Sequence, residues 1–145
     1  MSDVIKIAVE LDIPIERIKD LLCCAFEGGT HYWAVVTDEG TTQEDMDKFG
    51  AEYYHEIPAL GGEFPIFDRE EFYDGEEDDK LDPIGVLNMD GIKKALQLMA
   101  KGQDKDGKDC PGYKEHWDWF MAENEDANTG DLLVQLALFG KEVYA

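Results

Sequence analysis

The chain has little positive charge for its length. Lysine and arginine together number 13 in 145 residues, whereas aspartate and glutamate number 34, so the formal net charge is −21. Binding to nucleic-acid phosphates requires a basic surface, and an anionic membrane repels an acidic protein. We therefore predict no direct nucleic-acid binding and no membrane binding, and we expect fast encounter with a basic partner.

Long hydrophobic runs, a signal sequence and a disulfide framework are also missing. No window approaches the roughly 20 apolar residues that a membrane span requires. The N-terminus carries Asp3 and Glu10 and has no basic run before a hydrophobic stretch, unlike a signal peptide. The three cysteines include an adjacent pair, Cys23 and Cys24, which suits reduced thiols better than disulfides. These features predict a cytoplasmic protein.

Recognisable catalytic and ligand-binding motifs are absent. The chain has no P-loop, no G-x-G-x-x-G, no G-x-S-x-G and no H-E-x-x-H. Its cysteines and histidines lack zinc-site spacing, so we predict no metal and no cofactor. One enzymatic alternative stays open, in which Cys23 or Cys24 is a nucleophile and His31 its base.

The residues that are present predict one compact core. Hydrophobic residues make up 43% of the sequence, which suffices for a single domain over residues 1–145. Apolar alternation predicts a half-buried strand over 3–11. Spacings of three and four predict a helix over 14–26, ended by a left-handed conformation at Gly28 and Gly29.

The remaining elements divide the chain into a β-rich middle and a helical end. Residues 31–37, 52–57 and 63–67 have strand composition, and a short polar helix to about residue 49 lies between the first two. Helices are predicted over 89–101, from Pro111 onward, and from a cap at Asn128 or Thr129 through Phe139. The predicted class is α+β, with a small antiparallel sheet packed with helices and a helical C-terminal half.

Two segments concentrate the acids. Residues 68–82 contain nine acids against Arg69 and Lys80, and are predicted to form an acidic surface loop. Residues 115–131 contain six acids and no lysine or arginine. The predicted partner-binding residues are the acids Asp68, Glu70, Glu71, Asp74, Glu76, Glu77, Asp78, Asp79, Asp82, Glu123, Glu125 and Asp126.

A second functional alternative rests on glycine. The pairs Gly28–Gly29 and Gly61–Gly62 allow the backbone to approach a ligand closely. Together with Trp33 they predict a small-ligand pocket.

Three stretches carry a resemblance to known proteins. The run LLCCAFEGGTHYW (21–33), the turn GGEF (61–64) and the tail AENEDANTGDLLVQLALFGKEVY (122–144) resemble a family of small uncharacterised proteins of tailed phages and prophages. That likeness implies a phage origin, expression in a bacterial cytoplasm and no assigned active site. The Gly-Gly elements before Trp33 and Phe64 also resemble those of the ArdB/KlcA antirestriction proteins.

Charge and resemblance together favour one function. We predict a phage-encoded acidic protein that binds and inhibits a basic host protein, either a defence or a DNA-processing factor, with DNA mimicry as one possible mode. The sequence sets no oligomeric state.

Overall fold

The computed structural model describes residues 3–5, 7–30, 32–35, 43–70 and 83–144. Five α-helices lie in this part of the chain: α1 (Ile15–Cys24), α2 (Gln43–Phe49), α3 (Met89–Lys101), α4 (Pro111–Met121) and α5 (Ala127–Phe139). Three strands are present: β1 (Ala34–Val35), β2 (Phe64–Asp68) and β3 (Gly85–Leu87). A π-helical turn, Ala25–Gly29, continues α1, and a 3₁₀ helix, Tyr54–Leu60, precedes β2.

The strands form a small antiparallel sheet in the order β1-β2-β3. Ala34 lies opposite Asp68, and Phe64 lies opposite Leu87. Because the C-terminal half is helical and the sheet is small and antiparallel, the predicted α+β class is confirmed.

Helix α5 is the central element of the core. Its residues Leu132, Leu133, Val134 and Leu136 are all buried, as expected for a helix that is surrounded by the other elements of the core. It packs against α1, α3, α4 and β3. Helices α1, α3 and α4 bury fewer positions, such as Ile92, Ala95 and Met99 in α3, and α2 has no buried residue.

Local signals predicted most of the helices correctly. Helix α1 occupies the predicted region, and α3 has the predicted bounds, with the Asn88 side chain accepting a hydrogen bond from the Gly91 N–H. The last helix ends at Phe139 before Gly140, which has a positive φ. Its cap, however, is Asp126 and not Asn128 or Thr129.

Three sequence predictions are wrong. Residues 3–11 form no strand in their described part, and Ile5, the most exposed of their apolar side chains, is 89% accessible. Alternation alone makes no strand, because a strand also needs a neighbouring edge with which to pair. Residues 52–57 enter the 3₁₀ helix instead of a strand. Gly28 and Gly29 have no positive φ, since the chain continues as a π-helical turn there.

No helix in the described ranges is long and apolar enough to cross a bilayer.

Candidate functional site

The acids predicted to bind a partner differ in their positions and in their contacts. Glu71, Asp74, Glu76, Glu77, Asp78, Asp79 and Asp82 lie outside the described residues. Asp68 ends strand β2, and Glu70 and Glu123 are exposed. Glu125 and Asp126 have structural partners.

Glu125 is occupied by an ion pair with Arg17 of α1. The carboxylate is only 7% exposed, and Nη1 of Arg17 donates a hydrogen bond to it. The same guanidinium donates to the carbonyl of Phe120 and lies 4.5 Å from the centre of that ring. A largely buried carboxylate paired in this way meets a partner only if it first leaves Arg17. The partner-binding role of Glu125 stays a prediction.

Asp126 caps the first turn of α5. Its Oδ1 accepts a hydrogen bond of 3.0 Å from the Thr129 backbone N–H. This bond, opposed by burial and helped by the Thr129 hydroxyl, lowers the pKa of Asp126 below the ordinary aspartate value. The residue is nevertheless exposed, so its charge still contributes to the surface.

A concentration of acids that the sequence analysis missed lies along helix α1. Glu16, Asp20 and Glu27 recur at spacings of four and seven, which places them along one exposed side of the helix and its π-helical extension. Folding adds Glu56 of the 3₁₀ helix, which shares the Lys19 ammonium with Glu16, and Asp126 of the α5 cap, whose charge acts on the Cys24 thiol. We refer to these five residues as the α1 acidic face.

The cations near this face are already engaged. Lys19 lies 3.2 Å from a Glu16 carboxylate oxygen and 3.6 Å from a Glu56 oxygen. The hydrogen bond to Glu16 is the main cause of the raised pKa of Lys19. Asp20 and Glu27, by contrast, make no ion pair within the described ranges.

An aromatic side chain lies beside the α1 acidic face. Tyr53 is 56% exposed and stacks on His55 with 5.6 Å between ring centres and 6° between ring planes. Burial lowers the pKa of His55, although Glu56 and Glu27 oppose this. An exposed tyrosine next to acids is a suitable contact for lysine or arginine side chains, because both the ring face and the carboxylates attract cations.

The thiols of Cys23 and Cys24 lie among these acids. Burial raises the pKa of both thiols, and Glu27 adds to the effect at Cys23 while Glu125 adds to it at Cys24. A nucleophilic cysteine needs the opposite environment, one that favours the thiolate. His31, the proposed base, lies outside the described residues.

The second glycine of each Gly-Gly pair is packed closely against a neighbouring element. A Cβ on Gly29 would overlap the Ala127 carbonyl, and one on Gly62 would lie 2.5 Å from Cγ2 of Ile57. Gly28 and Gly61 have open space. The cavities beside α1 and α3 are lined by other residues, and the predicted pocket near these turns stays a prediction.

Trp33, assigned to that pocket, belongs to a buried polar network around Asp131. Its indole N–H donates to Oδ1 of Asp131 at 2.7 Å, and the Thr30 hydroxyl donates to the same oxygen at 3.0 Å. The Gln135 amide donates to Oδ2 at 2.8 Å, and the Tyr32 hydroxyl lies 2.9 Å from it. A carboxylate is required here because a neutral amide could not accept from donors on both sides.

Gln135 extends this network to the end of the chain. Its Oε1 accepts hydrogen bonds from the backbone N–H groups of Val143 and Tyr144, each at 2.8 Å. The Tyr144 ring in turn stacks on Trp33 at 4.7 Å. These contacts make the network a structural clamp, and a charged residue inside the apolar run 131–136 is the sequence signal that indicates it.

Among the described residues, no group of three or more histidine, cysteine or acidic side chains is placed to hold a metal ion. Comparisons with protein-family models, with curated proteins and with solved structures find no match to this chain. The phage-protein and antirestriction resemblances therefore stay predictions.

Proposed function

We propose that the protein binds a basic protein partner through the α1 acidic face. The observation that carries this proposal is the combination of unpaired Asp20 and Glu27 with neighbouring cations that are already engaged. Such a surface attracts lysine and arginine groups without first breaking internal ion pairs. The net charge of −21 adds long-range attraction to the same kind of partner.

Within the same proposal, the partner is a basic host protein in a bacterial cytoplasm, either a defence factor or a DNA-processing factor. Binding of this chain inhibits that partner. Proteins that handle nucleic acid expose basic surfaces, and these are complementary to the α1 acidic face. Exposed Tyr53 supplies an aromatic contact of the kind enriched in binding hot spots.

Charge spacing favours general complementarity over a close copy of DNA. Glu16 and Asp20 are separated by about 6 Å along the helix axis at 1.5 Å per residue. Duplex DNA carries one charge per roughly 1.7 Å of axis. The α1 acidic face is therefore sparser than a DNA backbone, and mimicry would need additional acids from elsewhere in the chain.

The test compares two variants of equal net charge. The double variant Asp20→Asn/Glu27→Gln removes two acids from the α1 acidic face, and Glu115→Gln/Asp118→Asn removes two exposed acids from α4. Each immobilised protein is exposed to bacterial lysate, retained species are identified, and the affinity for the main retained protein is measured across a salt series.

We expect a basic protein to be retained, to be released as salt rises, and to bind the α1 variant about tenfold more weakly than the α4 variant. Equal binding by the two variants would show that the α1 acidic face is not the interface. Salt-independent retention would contradict the electrostatic basis of the proposal.

A further inference from the structure

A groove between α3 and α5 is lined by positively charged side chains, whereas the molecule as a whole is strongly negative. Its volume is about 420 Å³, and it is lined by the second half of α3, the end of α5 and the loop residue Lys105. Lys94 and Lys101 stand seven residues apart on one side of α3, so three lysines surround a single cavity. The lining contains no acidic residue among those described.

This arrangement is unusual in a chain with 34 acids and 13 cations. Residues 93–114 hold six lysines and three acids, so positive charge is concentrated in this region. Lys94, Lys101 and Lys105 are exposed and make no ion pair within the described ranges. Three ammonium groups without internal counter-charges favour an external anion.

Backbone donors satisfy several of the carbonyl groups at the helix ends that meet here. The Leu98 carbonyl accepts from the backbone N–H groups of Gly102 and Gln103, and the Leu136 carbonyl accepts from Gly140. The Gly140 carbonyl in turn accepts from the Lys105 backbone N–H at 2.9 Å. Because backbone groups already satisfy these carbonyls, the ammonium groups stay available for a ligand.

The walls between the lysines are apolar. Leu98, Ala137, Leu138 and Phe139 are only partly buried and line the groove, while the alkyl chain of Lys105 packs over Gly140. An apolar surface with charged groups at its rim matches an amphiphile, because the body of the ligand displaces water while its head meets the ammonium groups.

We propose that this groove binds a small amphiphile with an anionic head, of the size and chemistry of a medium-chain carboxylate. A volume of about 420 Å³ lies in the range of small-molecule sites. Overall charge decides against a larger anion: a protein of net charge −21 repels an acidic partner in proportion to that partner's charge. The proposal is independent of the function assigned to the α1 acidic face.

Calorimetric titration with sodium decanoate below its micellar concentration tests the proposal. Decanamide, which has the same chain but no charge, is the matched control ligand. The groove variant is Lys94→Gln/Lys101→Gln/Lys105→Gln. The control, Lys48→Gln/Lys108→Gln/Lys114→Gln, changes net charge equally at lysines outside the groove lining. Urea unfolding of each variant checks that the fold is retained. A further variant, Gln97→Trp, places a ring at the groove from an exposed position and so provides a second means of blocking the groove.

We expect one decanoate per chain, weaker binding of decanamide, and an affinity loss of about tenfold in the groove variant. The control variant should stay within about twofold of the parent protein. Absence of decanoate binding, or an equal loss in both lysine variants, would overturn the proposal. So would binding of an oligoglutamate peptide in the absence of decanoate binding, because the occupant would then be an acidic segment.

Discussion

The two ends of helix α1 are attached to the core by different means. At the C-terminal end, the π-helical turn approaches the α5 backbone at Gly29 and Gly130, and the Asp131 network lies beside this contact. At the N-terminal end, the attachment includes the buried side chain of Ile18 and the ion pair of Arg17 with Glu125, so it is made by side chains. Backbone contact leaves no rotamer that can relieve a clash, whereas a long side chain can be replaced by another of similar shape. We therefore expect the C-terminal attachment to tolerate substitution less well.

The largest expected effect follows from Gly130→Ala. A Cβ at this position would lie 2.5 Å from the Ala25 backbone nitrogen and 2.8 Å from the Leu21 carbonyl oxygen. The helices would have to separate, and we expect the free energy of unfolding to fall by about 3–4 kcal/mol. Urea denaturation followed by circular dichroism measures this change.

Gly112→Ala is the matched control for that substitution. Gly112 lies in α4, and a Cβ added there would meet no atom within 4 Å. Alanine is the better helix former, so we expect a change between zero and a gain of about 1 kcal/mol. Similar losses in the two variants would show that close contact between α1 and α5 is not what makes Gly130 necessary.

Arg17→Met should have the next largest effect. The change keeps much of the apolar stem but leaves the Glu125 carboxylate, 7% exposed, without its cation. We expect a loss of about 2–3 kcal/mol in the free energy of unfolding. Adding Glu125→Gln should recover more than half of that loss, since an amide is less costly to bury than an unpaired charge. Absence of recovery would mean that contact between Arg17 and the Phe120 ring, at 4.5 Å, outweighs the ion pair.

Sequence reasoning succeeded where a signal and its structural partner are close along the chain. The Asn88 cap and the apolar stripe of α3 lie within a few turns of one another, and the element formed as predicted. The same holds for the end of α5 at Gly140. Such signals act through local hydrogen bonds and helical spacing, so they need no knowledge of the rest of the fold.

Sequence reasoning failed where the conformation of a segment depends on a residue that is far away in the sequence. The π-helical turn at Gly29 is packed against Ala127, about a hundred positions away in the sequence. The α1 acidic face shows part of its pattern in the spacing of Glu16 and Asp20, but Glu56 joins it only through folding. The lysine groove was missed for the same reason, because Lys94 and Lys101 line one cavity with Phe139 only in the folded protein.

The smallest expected effect concerns Tyr32, at the edge of the C-terminal attachment. Burial, followed by the hydrogen bond to Asp131, raises the pKa of Tyr32 from 10.0 to about 12. Above pH 10 the unfolded chain therefore releases this proton more readily than the folded protein, so the contribution of Tyr32 to stability declines as pH rises towards 12.

Tyr32→Phe cannot lose a proton, and at pH 8 it should be less stable by about 1 kcal/mol through the missing hydroxyl contacts. The stability difference between the two proteins should then shrink from pH 10 upward, by less than the full pKa shift implies, because Tyr32 is 52% exposed. Urea unfolding at intervals between about pH 8 and 11 measures that difference, in which titration of thiols and lysines common to both proteins cancels. A constant difference would mean that the hydroxyl is not held by Asp131, and that Tyr32 has no part in the C-terminal attachment.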